Sequence, residues 1–369
     1  MERRLVNNTS RFFLIRYFFS IIFSFLTLFI TGKIGDIDFL LGFVDYAAGG
    51  TTSNVAKEIF SRLGFIGNKY FIICLIAATS SLLLFILLKS FIDKKNINIW
   101  ALTLLAPGIL IYTNSVTKET LFIYPAIAYI ILECFYLTGK NSNLINYFFN
   151  FILRIILLLS MVSVRGDLTA PYIILFFLSI IFKNVYFGNV FKNLKLEPLI
   201  LLSFIGSFIL TFFIIYFKED YFVRTIIYLQ SSFSSANLFR PDIDAQYIKN
   251  PLNYFYIQYL ALFTTPLELI DKPYKISIIL DSLILMYCFS KAWKNLFKIV
   301  NPYNHTRQII ALLFTFITII YFSLYGILGS FNLGSSQRLR TNYIPIAIIF
   351  PLILEKSIRD KKLCSRSYS

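Results

Sequence analysis

Residues 12–30 read FFLIRYFFSIIFSFLTLFI, an apolar run interrupted by one charge, Arg16. Because it follows Arg3, Arg4 and Arg11 it imitates a secretory signal, yet it is too long for an h-region and no small-residue cleavage site follows. It reads as a retained first membrane span. The remainder of the 369-residue chain has the same character, 57% hydrophobic and 15% charged, with a mean hydropathy of +0.70. Values of this kind exclude a soluble globular domain and predict a polytopic membrane protein.

A bilayer core of about 30 Å takes about 20 apolar residues per helix. Windows of that length predict ten spans, at about 12–31, 70–88, 98–112, 120–138, 146–164, 168–182, 198–217, 276–292, 308–327 and 342–355. The third, sixth and tenth are short. The expected fold is therefore all-α: one integral-membrane domain over 1–369, a bundle of about ten transmembrane helices with a long outer loop that contains short helices. No internal repeat accompanies it.

The basic residues orient this bundle. With the N-terminus in the cytoplasm, one side collects nineteen Lys and Arg, from Arg3 through Lys94, Lys195 and Lys298 to Arg366, against five acids. The other side holds fourteen basic residues against twelve acids. The positive-inside rule then predicts ten spans with both termini cytoplasmic. Most of the net charge of +16 is accounted for by this asymmetry, which removes the main argument for a nucleic-acid partner. The four cysteines, Cys74, Cys134, Cys288 and Cys364, lack the spacing of a metal knuckle, and His305 is the single histidine. No metal or other cofactor is expected.

Two outer loops are long, about 32–69 and 218–275. The second exceeds what a connection needs, and its stretch NYFYIQYLALF reads as a helix lying in the interface or packed on the bundle. Every cytoplasmic loop is shorter. Function is expected on the outer face.

Four polar features meet that face. In SVRGDL (163–168) about three residues separate two apolar runs, so Arg165 and Asp167 sit in a tight break near hydrocarbon depth, where a buried ion costs several kcal/mol unless it is paired or reaches water. Three arrangements meet that demand: Arg165 pairs with Asp167, Arg165 snorkels to the interface, or a half-broken helix pair lines a wet cavity with Arg165 aimed at a ligand. In TNSVTKET (113–120) Lys118 can donate to phosphate, Glu119 can accept a proton, and Thr117 or Thr120 can cap the next helix, whose N-terminus favours an anion. Ordinary capping with Lys118 and Glu119 solvated is the structural alternative. In GSSQRLRT (334–341) Gly334, Ser335 and Ser336 favour a non-helical entry with backbone N–H groups open to an anion. Arg338 and Arg340 would point the same way if that segment is extended and diverge if it is helical; arginine suits bidentate phosphate contacts. Interfacial anchoring is the alternative. The long loop adds Arg224 and Arg240, and GDIDF (35–39) adds Asp36 and Asp38, a general base, a weak metal site or loop solubilisers.

An outer cavity ringed by Arg and Lys suits a substrate with a diphosphate head and an isoprenoid tail. Cationic groups would neutralise the departing diphosphate while a carboxylate takes the proton of an attacking sugar hydroxyl.

At these residues the chain resembles the O-antigen and exopolysaccharide polymerases, the Wzy-type family. The shared features are many spans, a large late outer loop, the hydroxyl-plus-Lys break from Ser115 to Glu119, Arg165 at the top of a middle span, and the Gly-Ser-Ser-Gln-Arg-Leu-Arg entry to a last span with Pro345. The resemblance covers most of the chain as architecture and about twenty residues as sequence. It implies a glycosyltransferase of the bacterial inner membrane that joins undecaprenyl-diphosphate-linked repeat units on the periplasmic face, in lipopolysaccharide biosynthesis. Arg165, Asp167, Glu119 and Arg338 would be its catalytic residues; Lys118, Arg224, Arg240, Arg340, Ser335 and Ser336 would bind substrate. Its partners would be those lipid-linked glycans, the bilayer and, as a further candidate, a chain-length regulator.

Three other readings compete. A GT-C type transferase using a polyprenyl-phosphate sugar would employ the acidic pair Asp36 and Asp38. A lipid-linked oligosaccharide flippase or other transporter would use ionisable groups within the spans, here Arg16, Glu133, Arg154 and Asp281. A structural membrane subunit would need none of them.

Overall fold

The structure is a computed structural model that describes residues 11–22, 25, 51–64, 68–113, 117–139, 144–184, 196–217, 220, 250–262, 276–300, 304–325 and 333–366. Asp36, Asp38, Arg224 and Arg240 fall outside these residues, as do the side chains of Asp167 and Ser335.

Among the described residues the regular structure is all helical. In chain order the helices are α1 (11–22), α2 (Thr51–Gly64), α3 (Lys69–Phe91), α4 (Ile97–Leu104), α5 (Pro107–Thr113), α6 (Lys118–Thr138) and α7 (Leu144–Asn184). They continue with α8 (Leu196–Phe217), α9 (Asn253–Leu262), α10 (Ile276–Val300), α11 (Asn304–Ile320), α12 (Leu333–Ile344) and α13 (Phe350–Arg366). Wider π-helical turns, Tyr321–Tyr325 and Pro345–Ile349, continue α11 and α12.

Among the described residues, six segments are long and apolar enough to cross a membrane: Lys118–Thr138, Ile145–Gly166, Glu197–Phe217, Ile276–Val300, Thr306–Ser323 and Ser336–Asp360. A seventh arises if the pair Lys94–Leu104 and Pro107–Thr113, bent by 72°, is one span. Pro107 explains the bend, since it has no N–H to offer the preceding turn and disfavours helical geometry in the residue before it. The second and sixth expected spans appear as the shorter apolar stretches Tyr70–Leu84 and Leu168–Ile181. The first is described over 12–22 and Phe25, where it is helical, and its remaining residues lie outside the described ones.

The distribution of side chains is that of a membrane protein. Ile145, Phe148, Phe149, Ile156 and Leu159 of α7 and Ile200, Leu201, Ile205 and Phe213 of α8 are exposed, whereas Arg154, Glu133, Asp281 and Glu355 are fully buried. Water would penalise that arrangement, while hydrocarbon solvates the apolar faces and drives ionisable groups inward to find one another.

Local chemistry sets the helix ends. The Asn68 side chain accepts from Tyr70 N at 3.0 Å and starts α3. The Thr117 hydroxyl accepts from Thr120 N at 3.3 Å and starts α6, which Gly139 closes in the left-handed region at φ 67°. Interior prolines Pro125 and Pro171 are tolerated because neighbouring helices shield the backbone they disturb.

The chain was expected as one domain, and its contacts group into two compact units: Met1–Ile173 with Tyr287–Leu296 and Ile344–Ser369, and Ile174–Met286 with Phe297–Tyr343. In the first, α6 packs on α13, the second π-turn and α5. Polar groups fasten this unit: Asn96 Nδ2 donates to Glu355 Oε2 at 2.6 Å, Asn295 Nδ2 to Asn96 Oδ1 at 3.0 Å, and Arg359 reaches both Glu355 and Asp93.

In the second unit α8 packs on α11 and on the first π-turn, and α9 packs on both α8 and that turn. Small residues, Ser203, Gly206, Ser207 and Thr211, let α8 approach its neighbours closely. A Cβ at Gly206 would stand 2.8 Å from Ile319 Cδ1. Gly206→Leu should therefore cost about 1–3 kcal/mol by overpacking, read as a lower midpoint in thermal unfolding of the detergent-solubilised protein; an unchanged midpoint would refute this close approach. The stretch NYFYIQYLAL does form a helix, α9, and it is held by Gln258, which donates to Thr211 at 3.1 Å and accepts from the Ser207 hydroxyl at 3.2 Å, beside stacked Phe208 and Phe255 rings 4.0 Å apart. Packing on the bundle, one of the two expected modes, is the one observed.

Candidate functional site

The break at SVRGDL is real, and it is confined to one residue. The helix α7 runs from Leu144 to Asn184 with a single non-helical residue, Arg165, at φ −148° and ψ 77°. The Thr169 hydroxyl donates to the Arg165 carbonyl at 2.8 Å, so the backbone group at the break stays satisfied in an apolar setting.

One partner of Arg165 comes from another helix. Its Nη2 lies 3.6 Å from Glu119 Oε1, and Glu119 stands in the first turn of α6, one residue after Lys118. The hydroxyls of Thr117 and Thr120 donate to the Tyr112 carbonyl at 3.0 and 2.9 Å, tying the end of α5 to the start of α6 and holding Glu119 in register. The expected cap is thus Thr117, but solvation of Glu119 is not observed. Glu119 is buried, Lys118 is half-buried, and the Arg165 side chain retains 15% exposure.

A second ion pair joins the same two helices and differs in kind. Arg154 Nη1 meets Glu133 Oε2 at 2.9 Å with both side chains fully buried, and the guanidinium lies 4.1 Å from the centroid of the Tyr136 ring. It is short, closed and backed by an aromatic face. The Arg165–Glu119 pair is longer and its cation is accessible. An incoming anion can compete for that cation without unmaking the contacts of α6 with α7 elsewhere.

The late arginines belong to the second unit, and there the structure corrects the expectation. Leu333–Ile344 is helical throughout, including Gly334, Ser335 and Ser336, so no extended entry exists. Residues two apart on a helix lie about 200° apart around its axis, and Arg338 and Arg340 diverge. Arg340 is buried, with its Nε 3.5 Å from Asp281 Oδ2 and its Nη1 donating to Ser336 Oγ at 2.9 Å. Arg338 is the more exposed of the two, and its carbonyl accepts from Asn342 Nδ2 at 3.0 Å. Tyr343 stacks on Tyr321 at 4.3 Å and donates its hydroxyl to the Ile317 carbonyl, which braces α12 against α11.

Reasoning from sequence missed Asp281 as the group that holds Arg340, and Glu133 and Arg154 as mutual partners. The available signal was that each is a charge inside an apolar run, which predicts a buried partner without naming it. Among the described residues no group of three His, Cys, Asp or Glu side chains is placed to hold a metal ion. No family model matches the chain, and neither does any curated protein or solved structure.

Proposed function

We propose that the protein is a polysaccharide polymerase of the bacterial inner membrane, with ten spans, both termini cytoplasmic, and its site on the periplasmic face. It joins undecaprenyl-diphosphate-linked repeat units. The observation that carries this reading is the Glu119–Arg165 pair: a buried carboxylate and an accessible guanidinium 3.6 Å apart at a helix break. A sugar hydroxyl of the incoming unit attacks the anomeric carbon of the growing chain, the bond from that carbon to the diphosphate oxygen breaks, and its electron pair leaves with undecaprenyl diphosphate. Glu119 takes the hydroxyl proton, and Arg165 meets the charge that grows on the leaving group. Lys118, beside Glu119 in the first turn of α6, supports the same anion. In the second unit, Arg338 is a separate candidate for anion binding, on a helix that Arg340 holds through Asp281 and Ser336.

Arg165→Ala and Arg338→Ala, each tested separately, should leave the protein inserted and remove long-chain product from a lipopolysaccharide gel. Single repeat units would remain attached to the lipopolysaccharide. Wild-type banding for both variants would refute the anion-handling assignment, and accumulation of unexported lipid-linked units would instead identify a transporter.

A further inference from the structure

Lysines from three remote stretches of the chain meet around one polar knot of the first unit. The knot is a run of hydrogen bonds from Asn295 Nδ2 to Asn96 Oδ1 and from Asn96 Nδ2 to Glu355 Oε2, with Asn96 and Glu355 buried. Lys95 precedes Asn96, Lys294 precedes Asn295 and Lys356 follows Glu355, so contacts between side chains far apart in sequence gather three lysines. Lys94 stands in the same 3-10 turn as Asn96, and Lys291 one turn before Asn295 on the same face of α10.

Neutralisation within the protein stops short of these lysines. Arg359 takes both acids of the knot, meeting Glu355 at 2.5 Å and Asp93 at 3.3 Å. Lys356 Nζ donates to the Ser90 carbonyl at 2.8 Å, one of the acceptors left open at the end of α3. Lys94, Lys95, Lys291 and Lys294 are exposed, and among the described residues none of their ammonium groups meets an acid. With Asp360 counted, six basic residues here, Lys94, Lys95, Lys291, Lys294, Lys356 and Arg359, face three acids. Like charges drawn together by the fold raise the local potential and favour an anion from outside the chain. The surface beside them is apolar. Leu82, Leu83 and Ile86 are exposed on α3 and form one stripe that continues to Ser90, where Lys356 is anchored.

We propose that Lys94, Lys95, Lys291, Lys294 and Lys356 dock the headgroup of an anionic phospholipid, with an acyl chain of that lipid along Leu82, Leu83 and Ile86. The charge selects the phosphate, and the apolar stripe leading to Lys356 selects a lipid over a soluble acidic partner. Lysine suits this use, since a flexible, hydrated ammonium follows a mobile headgroup without a fixed fork geometry. The surface is independent of the polymerisation reading, because none of its residues takes part in that chemistry.

The test is thermal unfolding of the full-length protein in phosphatidylcholine nanodiscs that carry increasing fractions of phosphatidylglycerol. Phosphatidylglycerol should raise the midpoint of wild type, and added salt should weaken the effect. Lys94→Gln, Lys95→Gln and Lys294→Gln combined should raise the half-saturating fraction of phosphatidylglycerol by about tenfold or more. The midpoint of this triple variant in pure phosphatidylcholine should match wild type, because all three side chains are exposed. Arg165→Ala should retain the lipid response. No rise in midpoint for wild type would overturn the inference. So would an unchanged response in the triple variant, or an equal loss in a control that removes the same charge elsewhere, Lys192→Gln, Lys195→Gln and Lys298→Gln.

Discussion

Arg154→Ala is expected to cost about 3–5 kcal/mol of stability. Both members of the Arg154–Glu133 pair are fully buried, so removing the cation leaves a buried carboxylate without the guanidinium that neutralises it. The loss also strips the Tyr136 ring of the guanidinium that lies over it and opens a cavity between α6 and α7. The double variant Glu133→Leu, Arg154→Met should recover most of the loss, since apolar residues of similar volume leave no charge to solvate. Unfolding in mixed micelles separates the outcomes. A loss below about 1 kcal/mol for Arg154→Ala would mean that water or another group already solvates Glu133.

Glu119→Gln is expected to lower polymer formation by about 100-fold or more, the range that loss of a general base produces. Glutamine keeps the volume of glutamate and can still accept from Arg165, so the helix start at Thr117 and the hydroxyl contacts to the Tyr112 carbonyl should persist. What it cannot do is take a proton. If Glu119 merely positions Arg165, the variant retains most of its activity, and Arg165→Lys becomes the informative change. Lysine preserves the charge but lacks the planar fork that meets two phosphate oxygens at once, so a partial loss there, with Glu119→Gln nearly active, would assign the chemistry to the cation alone. Rates would be read as long-chain product formed per inserted protein.

The break at Arg165 was legible because hydropathy is a local property: a run of apolar residues interrupted by Arg-Gly-Asp can be seen within a few positions. A threonine cap at the start of α6 was legible for the same reason, and the structure chose Thr117 over Thr120. The helicity of GSSQRLRT was not. Gly334, Ser335 and Ser336 argue for a loop on propensity, and the burial of Arg340 against Asp281 together with the stacking of Tyr343 on Tyr321 outweighs that preference. Of the two arrangements open to Arg338 and Arg340, the helix selects the divergent one.

By itself the sequence determined that this chain is a helical membrane protein and where its charges interrupt the apolar helices, since both follow from counts over windows about twenty residues long. Tertiary structure alone decided the pairing of those charges. Arg165 meets Glu119 of α6, and Arg340 meets Asp281 of α10. Which helices lie side by side sets these partners, and helix packing depends on the shape of whole faces, a quantity that no short window contains.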